Sequence, residues 1–105
     1  YVTDGENKAL MRHCRAFLHP AVFEGFGIPP LEALSQGAKI LLSNASCLPE
    51  LYGDTAAYFD PNDYGVDLDA LLAKPVSKPD KLLKKYSWDN TARFWLEQFR
   101  RYAAD

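Results

Sequence analysis

The chain has 105 residues, 48% apolar and 25% charged, the composition of one ordinary globular domain with a single hydrophobic core. A formal net charge of −2 with no basic face excludes nucleic acid as a natural partner, since the basic run Lys81 to Lys85 is broken by leucines. No apolar run has the length of a membrane span, and Cys14 and Cys47 are too few for a disulfide framework, so a reducing cytoplasm is the expected setting.

Tyr1-Val2-Thr3 has no initiator methionine and reads as the tail of a strand entering a helix, so the expectation is a piece of something longer. Thr3 and Glu6 have the spacing of a capping box, and the helix they open is expected to bury Leu10, Met11 and Cys14. Arg15 to His19 reads as a short strand stopped by Pro20. A second helix runs through Leu31 and Leu34 to a glycine stop at Gly37. Lys39 to Ser43 has the continuous apolar centre of a strand buried on both faces of a parallel sheet. Residues 43–46 are loop, Leu48 to Gly53 a short helical turn, and Ala56-Ala57-Tyr58-Phe59 a third strand closed by Asp60-Pro61. Val66, Leu68, Leu71 and Leu72 mark one short amphipathic helix, and Pro79 opens another through Leu82, Leu83 and Tyr86. Ser87 caps the last helix, where Trp88, Ala92, Trp95, Phe99 and Tyr102 form one broad stripe suited to core or domain-interface packing.

Strands alternating with helices predict an α/β fold with a partial Rossmann-like parallel sheet and a long aromatic C-terminal helix. A complete doubly wound domain has about five or six strands. Residues 1–105 are therefore expected to form a single partial domain, and its uncovered sheet edge gives the piece a tendency to self-associate.

The chemistry concentrates between Glu24 and Glu32, two carboxylates separated by seven residues that include Gly25-Phe26-Gly27 and Pro29-Pro30. Glycines admit a positive φ and close approach of another molecule, and a proline fits the first turn of a helix, where its missing N–H costs nothing. Such a strand-to-helix corner turns free N–H groups outward as an anion site. One acid stands before the corner and the other in the first turn of the helix, both able to accept from hydroxyls. Phosphate plus hydroxyls suggests a sugar nucleotide.

The residues in sequence carry a resemblance. Ala16-Phe17-Leu18-His19-Pro20, EGFGIPPLEAL, Gly37-Ala38-Lys39-Ile40, SNASCLPELYGD and Ala57 to Pro61 follow one another in order, and Ser87-Trp88 opens the last helix. This order resembles the C-terminal domain of retaining GT-B glycosyltransferases, in the large glycosyl transferases group 1 family (family 4), over nearly the whole chain. Within that family it is closest in flavour to bacterial enzymes of capsule, O-antigen and other surface-polysaccharide biosynthesis. The resemblance implies a donor-binding domain, whose parent enzyme transfers a hexose or deoxyhexose with retention from a nucleoside diphosphate to a glycan or lipid-linked acceptor. The acceptor would be held by an N-terminal domain outside this chain, through which the parent could also meet the inner face of the membrane.

By that resemblance, Glu24 is the first acid of the Glu-seven-Glu motif, a catalytic residue that would contact donor-sugar hydroxyls. Gly25, Phe26, Gly27 and Ile28 present backbone to the sugar and phosphate, Pro29 opens the helix toward the pyrophosphate, Leu31 lines the pocket, and Glu32 takes the ribose hydroxyls. The donor is a substrate, and no cofactor or metal is implied where cationic side chains share the leaving-group charge. The family supplies an arginine and a lysine for this from the preceding part of the domain; no matching pair stands here, so the isolated chain is expected to be inactive.

Other residues read more plainly. Phe26 is expected to plug the core beneath the corner, with only its N–H functional. His19 reads as a strand-end residue near the cleft, His13 as solvated, and neither cysteine as a nucleophile. Without a second ligand cluster the sequence assigns no metal site. Two alternatives stand beside the transferase: a non-catalytic interaction module of the same half-fold, and a GT-B sugar-nucleotide epimerase relative needing a histidine and further acids elsewhere.

Overall fold

The three apolar runs do become parallel strands. The computed structural model describes residues 1–104. Its elements are α1 (Asp4–His13), β1 (Phe17–His19), α2 (Ile28–Ser35), β2 (Ile40–Ser43), α3 (Leu48–Tyr52), a 3-10 turn (Gly53–Thr55), β3 (Ala56–Phe59), α4 (Leu68–Ala73), α5 (Asp80–Lys85) and α6 (Trp88–Ala103). The sheet order is β1-β2-β3, and the registers Phe17↔Ile40↔Ala56 and His19↔Leu42↔Tyr58 bring the carboxyl ends of the strands level.

The central strand β2 is buried along its whole length, as its unbroken apolar run predicts. Alternation along the strand divides its contacts between two layers. Ile40 and Leu42 face Met11, Ala33, Leu34, Leu48 and Tyr52, so α1, α2 and α3 cover one side. Leu41 faces Ala57 and Leu71 on the other, where α4 supplies the cover. On that side Leu18 of the outer strand stays half exposed.

Local signals set the helix ends. The Thr3 N–H donates to Glu6 Oε2 at 3.0 Å while the Glu6 N–H donates to Thr3 Oγ1 at 3.2 Å, the reciprocal capping box. The helix α2 ends in a Schellman arrangement, with Gly37 at φ +87° and the N–H groups of Gly37 and Ala38 returned to the carbonyls of Leu34 and Ala33. Ser87 caps α6 through Asn90 N–H at 3.1 Å, and Asp67 caps α4 through Ala70 N–H at 3.1 Å.

One burial expectation fails. Of Leu10, Met11 and Cys14, only Met11 is buried, at 5% exposure against 60% for Leu10, while Cys14 is also exposed. Met11 is the α1 residue that joins the core cluster with Ala33 and Leu34 of α2. Helix α6 has no buried residue, so of the core and domain-interface roles read from its stripe the core one does not hold within this chain: its Trp95 ring lies against Phe99 at 5.7 Å and against Phe94 at 5.8 Å. Its aromatic stripe is therefore a surface of this chain.

Leu42→Ala should lower the unfolding free energy by about 2–5 kcal/mol, whereas Leu10→Ala should stay within about 0.5 kcal/mol. Urea unfolding followed by circular dichroism separates the two.

Candidate functional site at the carboxyl ends of the strands

The corner after β1 is built on one glycine and one tyrosine. Gly27 is the N-cap of α2 at φ +83° and ψ 60°, left-handed backbone in which a side chain is strained. A Cβ there would also lie 3.0 Å from Leu48 Cδ2. From below, the buried Tyr52 hydroxyl donates to the Gly27 carbonyl, and Pro30 is buried beside it. Burial pushes the Tyr52 phenol above the usual tyrosine range, with the charges of Cys47 and Glu24 adding to the shift against a lowering contact with the Leu31 backbone.

The helix begins at Ile28, one residue before the predicted proline, so Pro29 and Pro30 occupy its second and third positions. Four N–H groups are normally free at such an end, and the two prolines remove two of them. The donors left are in the turn itself: among the described residues, the N–H groups of Phe26, Gly27 and Ile28 find no acceptor within the chain. The helix axis still aims its positive end at this point.

Glu24 is held at the corner from two neighbouring strands. Its N–H donates to Ser46 Oγ at 3.2 Å, and the same hydroxyl donates back to the Glu24 carbonyl at 3.0 Å. The Cys47 thiol adds contacts to the carbonyls of Glu24 (3.4 Å) and Gly25 (3.3 Å). Ser46 sits at φ 54°, the one non-glycine with positive φ among the described residues, which turns its hydroxyl toward Glu24. From the end of β1, His19 Nε2 meets Glu24 Oε1 at 2.7 Å. These contacts were not legible as a cluster in the sequence. The usable signal was topological: parallel β1 and β2 end at one level, so the loops after His19 and Ser43 must converge.

Glu32 and the ring of Phe26 lie elsewhere than expected. Because α2 starts early, Glu32 is its fifth residue, past the first turn where the spacing placed it. It is exposed in a depression of ≈ 250 Å³ between α1 and α2, with Asp4, Asn7 and Lys8 opposite. Phe26 does not plug the core under the corner, a place Tyr52 and Pro30 fill. Its half-buried ring packs edge-on against Tyr86 at 5.1 Å, at the mouth of a ≈ 470 Å³ hollow that Ile28, Leu31 and Trp88 also line. His13 is exposed. Among the described residues no three His, Cys, Asp or Glu side chains converge as a metal set, and no helix is long and apolar enough to cross a membrane.

A parallel α/β sheet with an acid and a corner rich in free N–H groups at the carboxyl ends of its strands defines a Rossmann-like unit, consistent with part of a GT-B fold. The family model for glycosyl transferases group 1 matches residues 1–87. The serotype-specific mannosyltransferase WbdA of Escherichia coli is 38% identical over 96% of this chain and 14% of its own length. The O-antigen chain mannosyltransferase B of Escherichia coli is 44% identical over 60% of this chain and 16% of its own. The O-antigen chain mannosyltransferase RfbU of Salmonella typhimurium is 28% identical over 92% of this chain and 30% of its own. No solved structure matches. The chain belongs to the glycosyl transferases group 1 family. It spans between 14% and 30% of the length of these curated relatives.

Gly27→Ala should destabilise the fold by roughly 1–2 kcal/mol from the left-handed backbone alone, with the Leu48 contact adding to it, as urea denaturation would read. Alkali should destabilise it as well. The Tyr52 phenol is raised above 10.0, and burial with the Asp54 charge pushes Tyr58 up to about 12. A raised phenol keeps its proton in the fold while the unfolded chain loses it, so stability is full below pH 10.0 and falls as pH rises through the Tyr58 value. The urea midpoint should fall across that window, less steeply for Tyr52→Phe.

Proposed function

We propose that the protein carrying this chain is a mannosyltransferase that moves the sugar from a nucleoside-diphosphate donor onto a growing surface glycan, with retention. The donor would lie over the corner after β1. The observation that carries this reading is Glu24, fixed at the carboxyl end of β1 beside the N–H groups of Phe26 to Ile28 that have no acceptor in the chain. The mannosyl and O-antigen assignments draw support from the names of the relatives above, and retention from the family resemblance.

Sugar leaves a nucleoside diphosphate through an oxocarbenium-like state while negative charge grows on the β-phosphate. Fixed N–H donors and the positive end of α2 act on that growing charge without having to reorient, where preorganised dipoles count most. Glu24 would accept from donor-sugar hydroxyls and orient the ring over the corner. Glu32, exposed and without a side-chain partner among the described residues, would take the ribose hydroxyls at the α1–α2 depression. The two acids would thus hold opposite ends of the donor, on either side of the pyrophosphate.

In the complete gene product, Glu24→Gln should abolish most transfer from GDP- and UDP-hexoses to a surface-glycan acceptor. Glu32→Gln should weaken donor use by about ten- to a hundredfold, the worth of one charged hydrogen bond. A Glu24→Gln enzyme with unchanged rate, together with no donor contact in saturation-transfer NMR, would sink the assignment. Product anomeric configuration by proton NMR checks retention.

A further inference from the structure

We propose that His19 is a positioning residue for Glu24: it holds one oxygen of the carboxylate so that the other stays directed at the donor. His19 Nε2 lies 2.7 Å from Glu24 Oε1, with the two side chains 16% and 28% exposed. An ionised carboxylate can only accept, so the ring nitrogen carries the hydrogen. Among the described residues Oε2 has no partner, which leaves it free for a hydroxyl.

The ring is itself fixed. It stacks on Phe17 two residues earlier, with centroids 6.1 Å apart and planes 18° from parallel. Its backbone is tied into the sheet opposite Leu42, and its carbonyl accepts from the Ser43 hydroxyl at 3.3 Å. Glu24 has its own backbone clamp from Ser46 and Cys47. The carboxylate is therefore set between a locked ring and a locked main chain, the kind of support that keeps a reacting geometry within a fraction of an ångström.

Stability alone does not account for the pair. The register partner of His19 is Leu42, and an apolar residue would serve that packing position better. A partly exposed His–Glu contact adds little to folding. What it does supply is a single orientation for one acid.

The proposal rests on the function proposed above, because His19 matters to transfer only if Glu24 does. In the complete gene product, His19→Phe keeps a ring to stack on Phe17 and removes the hydrogen-bond donor. Its kcat should fall by about ten- to a hundredfold with donor KM unchanged, the mark of an interaction lost in the transition state. His19→Gln carries an N–H to a similar reach and should restore most of kcat. His19→Asn falls short of the carboxylate and should behave as the phenylalanine does, standing in for it if that variant does not fold. A His19→Phe or His19→Asn enzyme with wild-type kcat, beside an inactive Glu24→Gln, overturns the proposal and leaves the function intact. Equal loss in the Gln and Asn variants shows a packing role and overturns it too. A fully active Glu24→Gln removes the catalytic assignment of Glu24 and this proposal together.

Discussion

The site depends on one left-handed glycine resting on one buried tyrosine. Gly27 turns the chain from strand exit into helix, and the Tyr52 hydroxyl accounts for the carbonyl that this turn would otherwise bury without a partner. Tyr52 and Leu48 both come from α3, the helix after the next strand. The first βα corner is thereby seated on the second, and the corner cannot shift without disturbing the core below it. Any residue but glycine at 27 would strain the backbone and press on Leu48 at once.

That seating explains how an acid in a loop acquires a fixed place. Parallel pairing brings the ends of β1 and β2 level, and the loop after β2 then reaches Glu24 with Ser46 and Cys47. Two prolines shape the helix start but also remove two of its N–H donors. Among the described residues the free N–H groups of the corner are therefore those of the turn, Phe26 to Ile28, with the helix contributing its dipole.

Amphipathic patterns predicted which faces are apolar and not what lies against them. Met11 is covered by α2 while Leu10, one residue away on the same helix, is not. The aromatic stripe of α6 has strong helical periodicity and a well-formed cap at Ser87, yet it buries nothing. Phe26 shows the same limit at the corner: its apolar character was plain, but the space beneath was taken by Tyr52 and Pro30, so its ring went sideways to Tyr86.

The sequence by itself determined the elements and the family. Caps at Thr3 and Ser87, the stop at Gly37, the unbroken run of β2 and the order of motifs around EGFGIPPLE are local or linear features, and local physics is enough to express them. It also marked Glu24 as the acid before the corner. Only the tertiary structure decided that Glu24 is gripped by His19, Ser46 and Cys47, and that Glu32 stands apart in the depression beside α1. The physical reason is that those neighbours belong to other strands and helices. Strand register and the one-residue-early start of α2 set their distances, and neither is encoded in the spacing of the motif.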